Sequence, residues 1–144
     1  MRVSDVLRSK GTDVFTVHPD TPVRDFLDIL VERRIGACVL SVDSATIAGM
    51  VSERDIATGL ARRGAELLGT PVSAIASTDV ITAAPDTTLD EVMRLMTDRR
   101  CRHLPILENG RLAGLVSIGD VVKHRMDELE SEREALVNYI SSAG

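Results

Sequence analysis

The sequence predicts an α/β (α+β) fold of two pseudo-symmetric β-α-β-β-α repeats packed through their sheets, followed by an extended C-terminal helix. The main observation is an internal repeat: residues 14–21 read VFTVHPDT, and residues 80–87 read VITAAPDT, 66 positions later. After a one-residue gap, AGMVSERDI at 48–56 matches AGLVSIGDV at 113–121. A repeated unit of this size usually cannot bury its apolar face alone, so the two copies should pack together.

The composition allows a hydrophobic core but argues against two classes of partner. Of the 144 residues, 44% are hydrophobic and 2% are aromatic, and the formal net charge is −5. Without aromatic stacking platforms or excess positive charge, nucleic-acid binding is not expected. The N-terminus lacks the apolar core of a signal peptide, and no segment approaches the roughly 18 apolar residues of a membrane span. We therefore expect a cytoplasmic protein with no membrane contact.

The first repeat should begin with a short helical lead-in at 3–7 and a strand at 15–17. A helix should follow, with Asp20 or Thr21 as its N-cap and Pro22 in its first helical position, where the missing proline N–H costs nothing. The apolar face of this helix consists of residues at helical spacing, namely Val23, Phe26, Leu27 and Leu30.

Two strands and a second helix should complete the first repeat. The almost wholly apolar stretch 37–42 is typical of a strand covered on both faces, and 47–52 predicts a second strand. Ser52 precedes an acidic first turn, which is typical of a helix N-cap, and the helix should run to about residue 63.

The second repeat should have the same elements after a linker at 63–70. We expect a lead-in at 72–75, a strand at 80–82, a helix, strands at 103–107 and 112–117 around an Asn109-Gly110 turn, and a last helix that opens at 117–120. The repeats are therefore assigned to residues 1–65 and 66–125, with a C-terminal helical extension at 126–144.

The last helix carries an apolar stripe that continues past the point where its counterpart in the first repeat ends. Its members follow a three–four spacing, with Arg133 as an interruption: Val122, Met126, Leu129, Leu136 and Ile140. The stripe could pack on its own domain beneath a solvated acidic face, or it could contact a second subunit. Its length favours the subunit contact.

Several short motifs, in the same order in both copies, give a family resemblance. VHPDTPV is followed by GMVSERDI, and AAPDTTL is followed by RHLPI and GLVSIGD. This arrangement resembles a tandem pair of cystathionine-β-synthase (CBS) domains, a Bateman module, over roughly residues 1–125. The ending is similar to that of small stand-alone CBS proteins, which have no attached enzyme or transporter.

The resemblance implies a non-catalytic regulatory module that senses adenine-containing ligands in clefts between the two repeats. The implied ligands are AMP, ADP or ATP, or the related NAD(H) and S-adenosylmethionine, with no required cofactor and no metal. It also implies a homodimer whose shape, or whose affinity for an unknown regulated protein, changes with the ligand. The chain has no glycine-rich phosphate loop, metal-ligand motif or nucleophile elbow, which argues against an enzyme. The alternative is a protein-assembly module with degenerate sites.

The G-h-h-S-x-x-D motif that closes each repeat can be interpreted in this light. Ser52 and Ser117 stand at helix N-termini, where backbone N–H groups and the helix dipole favour a phosphate. Asp55 and Asp120 follow three residues later and could accept hydrogen bonds from both ribose hydroxyls, as carboxylates do in dinucleotide-binding folds. The simpler alternative is that the serines only cap the helices and the aspartates only complement the dipole. The recurrence of both in the two copies favours the ligand role.

In such modules a pocket usually takes its adenine contacts from one repeat and its S-x-x-D from the other. The first expected pocket consists of Thr16, Val17, Gly36, Ala37, Cys38, Ser117 and Asp120. The second consists of Thr82, Ala83, Arg102, His103, Leu104, Ser52 and Asp55. Arg102 and His103 replace Gly36 and Ala37 of the first copy and could make charge-assisted bonds to phosphate oxygens. The sequence leaves open which pocket binds better.

The two cysteines, Cys38 and Cys101, each stand where the other repeat has an aliphatic residue. A buried small hydrophobic residue is the simplest interpretation. A structural disulfide and a redox-sensitive thiol are the alternatives, although nothing in the sequence indicates a secreted scaffold.

Overall fold

The apolar spacings of the two repeats produce two similar halves of alternating helix and strand. A computed structural model describes residues 1–143, so Gly144, the last residue of the expected C-terminal extension, lies outside the described residues. The elements are α1 (Val3–Lys10), β1 (Thr16–Val17), α2 (Val23–Arg33), β2 (Ala37–Leu40), β3 (Gly49–Ser52), α3 (Glu53–Arg63), two 3-10 turns (Gly64–Gly69 and Val72–Ala74), α4 (Leu89–Arg99), β4 (His103–Glu108), β5 (Arg111–Ser117) and α5 (Ile118–Ala143).

Each repeat forms its own small sheet. In the first repeat β1 runs parallel to β2, and β2 pairs antiparallel with β3. In the second repeat β4 and β5 form an antiparallel hairpin, closed by Asn109 and Gly110 with φ values of 54° and 77°. Positive φ at both positions matches the type I′ turn that the sequence predicts. The mixed α/β class, the two repeats and the extended last helix are confirmed.

The strand expected at 80–82 does not form. In its place Ala83 makes an isolated parallel bridge to Ile106, with hydrogen bonds to Pro105 and Leu107. Pro105 stands where the first repeat has Val39, which pairs with Thr16 in β1. Because proline has no amide hydrogen, the second repeat loses one bond of this ladder, and the strand is reduced to a single bridge.

The start of α2 also differs from the prediction. Pro22 is the N-cap, with φ −60° and ψ 145°, and Val23 is the first helical residue. Pro22 is held in this extended conformation by a bridge to Pro71, while the Val23 amide donates to the Thr70 carbonyl at 2.9 Å. A contact with the segment between the repeats therefore moves the helix start by one residue.

The two hydrophobic cores exchange their lead-in segments. The second core contains Val3, Val6 and Leu7 of α1 together with residues of α4, β4, β5 and α5. The first core contains Leu67 and Val72, which lie in the 3-10 turns between the repeats. Each lead-in thus packs on the core of the repeat that it does not precede in the chain, which ties the two halves together.

Two equivalent glycines allow this exchange. A Cβ on Gly114 in β5 would lie 2.6 Å from Cδ2 of Leu7, and a Cβ on Gly49 in β3 would lie 2.9 Å from the Ser77 carbonyl oxygen. Both distances are shorter than real Cβ contacts, so each lead-in approaches the sheet only because glycine stands there. This explains in packing terms why glycine occurs in the A-G-h-V-S run of both copies.

Helix α5 is 26 residues long and leaves its apolar stripe exposed. Val121 is its only buried residue, whereas Met126, Leu136 and Ile140 are 63%, 60% and 61% exposed. Within residues 1–143, no helix combines the length and the apolar character needed to cross a membrane.

Candidate functional site

Both S-x-x-D motifs lie where a strand passes into a helix. Ser52 ends β3, and Oδ2 of Asp55 accepts the Ser52 amide at 2.8 Å and the Ser52 hydroxyl at 3.1 Å. Ser117 ends β5, where Oδ2 of Asp120 accepts the Ser117 amide at 2.9 Å and the Ser117 Oγ accepts the Asp120 amide at 3.1 Å. The motifs therefore form capping boxes that fix each carboxylate at a helix N-terminus.

Capping does not use up either carboxylate. In both aspartates the capping bonds go to Oδ2, and among the described residues Oδ1 accepts no hydrogen bond. Asp55 and Asp120 are half-buried, as are Ser52 and Ser117. The capping role and the ligand role proposed for these residues are thus compatible, because one oxygen holds the helix and the other stays available.

Asp120 has a further partner that Asp55 lacks. Nζ of Lys10, the last residue of α1, lies 2.5 Å from Oδ2 of Asp120. Burial by itself would raise the pKa of Asp120, but the hydrogen bonds from Lys10 and Ser117 lower it below the usual aspartate value. Asp120 is therefore ionised at neutral pH and paired with a cation that comes from the segment before β1.

Lys10 was missed by the sequence analysis, although a signal for it exists. VSDVL at 3–7 matches VSAIA at 72–76 with a spacing of 69 positions, whereas the spacing is 66 from Thr12 and Thr78 onward. The three-residue difference is Arg8-Ser9-Lys10, an extra helical turn that the second lead-in lacks. These residues are therefore specific to the first copy.

A charged cluster forms around Lys10 and Asp120. We define it as Lys10, Glu53, Arg102, His103 and Asp120, because Lys10 pairs with Asp120, Arg102 and His103 adjoin the start of α5, and the charge of Glu53 acts on the pKa of His103. His103 pairs with Ser117 across β4 and β5, and the Arg102 carbonyl accepts the Ile118 amide at 2.8 Å. The cluster thus contains the start of α5, the start of α3 and the end of α1.

The predicted residues of the first copy are arranged in a similar way. Ala37 pairs with Ser52 across β2 and β3, and the Gly36 carbonyl accepts the Glu53 amide at 3.0 Å. The first part of each inner strand therefore lies beside the S-x-x-D motif of its own repeat. In addition, the segment that leads into β1 reaches the S-x-x-D motif of the other repeat through the contact of Lys10 with Asp120.

Several predicted adenine contacts have side chains that belong to the cores. Val17 and Cys38 are part of the first core and Leu104 is part of the second, with exposed fractions of 5%, 1% and 0%. Any contact from these positions to a ligand would come from the backbone. Thr16, Thr82 and Ala83 are half-buried, and the Thr16 hydroxyl lies 3.2 Å from that of Ser44.

A separate cavity of about 400 Å³ opens between the end of α2 and the start of α3. It is lined mainly by apolar side chains, with Arg34 and Glu53 at its polar side; the others are Leu27, Leu30, Val31, Ile35, Gly36 and Ile56. Only Gly36 of the predicted site residues lines it. The sequence analysis assigned Leu27 and Leu30 to the apolar face of a helix and did not anticipate a cavity beside them.

Cys38 is expected to be unreactive in the folded protein. Burial raises the pKa of its thiol to about 11, and its Sγ donates to the Phe15 carbonyl at 3.4 Å. Both cysteines are free, and Cys101 is partly exposed. A thiol reagent such as Ellman's reagent at pH 8 should label Cys101 well before Cys38, and both should react after denaturation. Equal labelling rates in the native protein would contradict this assignment.

His103 should make the protein less stable in mild acid. Burial lowers the pKa of His103 below its ordinary value of 6.5, and the charge of Lys10 lowers it further. The unfolded state then binds more protons than the folded state below pH 6.5, so this contribution to stability is present above pH 6.5 and is lost as the pH falls through the folded pKa. The free energy of unfolding, measured with urea, should therefore decrease more between pH 7.5 and 5.5 in the wild type than in His103→Gln.

The exposed His18 provides a control for this prediction. His18→Gln removes an exposed histidine and keeps the half-buried His103, so it should keep the pH dependence of the wild type. If His103→Gln and the wild type lose stability in parallel, the half-buried imidazole of His103 is not responsible.

Comparison with known proteins identifies the repeat. The family model for the CBS domain matches residues 3–62 and again residues 72–127. The CBS domain-containing protein YhcV of Bacillus subtilis is 31% identical over 136 residues, which is 94% of this chain and 95% of that protein.

Solved structures agree with this match. The CBS-domain containing protein ATU1752 from Agrobacterium tumefaciens is 41% identical, with a TM-score of 0.83 over 87% of this chain and 99% of that one. The structure of CBSX2 in complex with AMP is 26% identical, with a TM-score of 0.72 over 88% of this chain and 96% of that one. The duplicated sequence, the paired sheets and both domain matches together show that this chain belongs to the CBS-domain family and carries two CBS domains in tandem.

Proposed function

We propose that this protein is a non-catalytic sensor that binds an adenine nucleotide in the cleft between its two CBS repeats. The observation that carries the proposal is the duplicated arrangement of a serine and an aspartate at two helix N-termini, each aspartate with one oxygen outside the capping box. The N-terminal amides and the helix dipole suit a phosphate, while the available carboxylate oxygen suits the ribose hydroxyls.

The composition of the charged cluster supports a ligand with phosphate. Lys10 and Arg102 supply positive charge close to Ser117 and Asp120, and His103 supplies a ring N–H. CBSX2, which shares the fold and 26% of the sequence, was crystallised with AMP. We therefore favour AMP, ADP or ATP over NAD(H) and S-adenosylmethionine as the ligand of this chain.

The same groups favour binding over catalysis. Each serine hydroxyl shares its hydrogen bonds with the neighbouring aspartate in a capping box, where it holds the helix and is not poised for attack. Within residues 1–143, histidine, cysteine, aspartate and glutamate do not gather into a group that could hold a metal ion. We propose that the ligand acts by stabilising one arrangement of the repeats, to the extent that it binds this arrangement better.

We also propose that the protein is a homodimer in which a second copy covers the apolar stripe of α5. Val122, Met126 and Leu129 are 44%, 63% and 48% exposed and are continuous with Leu136 and Ile140. Their three–four spacing is that of a helix–helix seam. A change in the relative position of the repeats could pass through this contact to a regulated protein.

Met126→Glu should therefore convert the dimer to a monomer in light scattering at micromolar concentration, since it places a charge in the centre of the seam. Val42→Glu is a matched control. Val42 is equally exposed, at 64%, but it lies in the loop after β2 and not on α5. A monomeric wild type, or a dimer that survives Met126→Glu, would contradict the proposed contact.

Calorimetric titration of the nucleotide-free protein tests the ligand proposal. AMP, ATP, NADH and S-adenosylmethionine should be compared, with GMP as a control for adenine recognition. We expect AMP or ATP to bind and GMP to bind much more weakly. If none of the adenine ligands binds, the sensor proposal fails, and the alternative of an assembly module with degenerate sites is favoured.

A further inference from the structure

The Lys10–Asp120 contact is determined by packing. Val3, Val6 and Leu7 anchor α1 in the second core, with exposed fractions of 0%, 0% and 6%. The helix then continues for one more turn and ends at Lys10, whose Nζ lies 2.5 Å from Oδ2 of Asp120. Both side chains are about one-third exposed or less, at 34% and 26%. The lysine therefore pairs with the capping oxygen Oδ2 of the carboxylate whose other oxygen the proposed function assigns to the ribose.

Among residues 1–143, no such cation is paired with Asp55, the pseudo-symmetric aspartate of the other half. The bridges Arg2–Thr88 and Pro22–Pro71 are equivalent contacts in the two halves, so the two lead-ins begin at equivalent places. The second lead-in is shorter. Its residue Ala76 corresponds to Leu7 and lies near Gly49, and no lysine follows it in the positions that correspond to the end of α1. Asp55 is bonded only to Ser52 among the described residues, and the neighbouring Glu53 adds negative charge.

This asymmetry has different consequences for two kinds of adenosine ligand. A neutral nucleoside that uses Oδ1 of Asp120 must share the carboxylate with the ammonium group on Oδ2, and it has no anionic group for the lysine to bind. A nucleotide brings a phosphate, and the flexible four-carbon stem of lysine lets the ammonium move from the carboxylate to a phosphate oxygen. Arg102, which is exposed, and His103 belong to the same charged cluster and could supply further donors to that phosphate.

We propose that Lys10 makes the Asp120 pocket selective for phosphate-bearing adenosine ligands, by pairing with Asp120 in the empty pocket and with the phosphate in the occupied one. The inference rests on the proposed function and adds to it a specificity-determining residue and a ligand class for one of the two pockets. The Asp55 pocket has no equivalent of this lysine and should discriminate less between nucleotide and nucleoside.

The test compares AMP with adenosine in the full chain, with Asp55→Ala as the background so that only the Asp120 pocket is measured. Lys10→Met removes the ammonium group and keeps the length of the stem. We expect AMP to bind about tenfold more weakly, as for the loss of one charge-assisted bond, and adenosine to bind several-fold more tightly because Asp120 is released. Lys123→Met is the matched control: Lys123 is the only other lysine, is exposed on α5, and should leave both affinities unchanged.

The outcomes separate the two levels of the argument. If the wild type binds no adenosine ligand, the proposed function is overturned and the role of Lys10 fails with it. If the wild type binds AMP but Lys10→Met leaves the ratio of AMP to adenosine affinity unchanged, or weakens both ligands equally, only the selectivity of Lys10 is overturned. Loss of all AMP binding in the Asp55→Ala background would also overturn it, because the Asp120 pocket would then bind no nucleotide. Equal melting temperatures of the Lys10→Met and Lys123→Met variants would exclude misfolding as the cause.

Discussion

Leu7→Ala should lower the free energy of unfolding by about 2–4 kcal/mol, which is the usual cost of removing a buried leucine side chain from a core. Leu7 is 6% exposed and belongs to the second core, although it lies at the N-terminus before the first repeat's own strands. If each lead-in packed on the repeat that follows it, the same substitution would disturb the first core. Urea unfolding, with the exposed Met93→Ala as a control on α4, measures the size of the effect.

Gly114→Ala tests the same contact from the opposite side. The new methyl group would lie 2.6 Å from Leu7 Cδ2, so Leu7 must move, and overpacking of this kind costs about 1–3 kcal/mol. In the Leu7→Ala background the methyl group has room, so the two substitutions together should cost less than the sum of their separate effects. The matched control is Gly69→Ala, since nothing lies within 4 Å of a Cβ at Gly69.

Strict additivity of Leu7→Ala and Gly114→Ala would show that the two residues do not touch. A Gly69→Ala variant as unstable as Gly114→Ala would show that loss of glycine flexibility, and not the clash with Leu7, determines the effect. If the two substitutions are non-additive as expected, the packing of α1 stabilises the second repeat. The same packing then positions Lys10 at the end of α1 within the charged cluster.

The sequence predicts most of the local structure because helix faces, turns and the repeat itself are encoded by nearby residues. The α2 face, the Asn109-Gly110 turn and the long α5 follow from spacing and turn chemistry alone. The exceptions depend on partners distant in sequence. The bridge from Pro71 moves the start of α2, and Pro105 on β4 prevents the strand at 80–82 from forming.

The candidate site shows the same limit. The repeated S-x-x-D motif identifies Ser52, Asp55, Ser117 and Asp120 because a duplicated pattern can be compared with itself. Lys10 has no counterpart in the second copy, so a search for repeated residues passes over it. The role proposed for Lys10 depends on the packing of α1 on the second core, which brings the end of this helix to Asp120, a contact between residues 110 positions apart. Differences between the copies are therefore as informative as their matches.

In the pocket that binds AMP, replacing the motif aspartate by alanine should weaken binding about 100-fold. Two ribose hydroxyls donating to a carboxylate are worth about 3 kcal/mol together, and 1.4 kcal/mol corresponds to a factor of ten. With 2′,3′-dideoxy-AMP the wild type should already bind about 100-fold more weakly than it binds AMP, and Asp55→Ala or Asp120→Ala should then have little further effect. This dependence on the ligand separates recognition of the ribose from a general loss of structure.

Asp5→Ala is the control that isolates capping from binding. Oδ2 of Asp5 accepts the Arg2 amide at 2.8 Å at the start of α1, in the same kind of capping box as Asp55 and Asp120, but the N-cap residue is Arg2 and not a serine. All three alanine variants should lose about 1 kcal/mol of stability with the cap, while only Asp55→Ala or Asp120→Ala should lose affinity for AMP. If the three variants bind AMP equally well, the aspartates are caps and nothing more. If only the motif aspartates lower the affinity for AMP, the carboxylate that caps the helix also binds the ribose hydroxyls. Ligand binding should then stabilise the start of that helix.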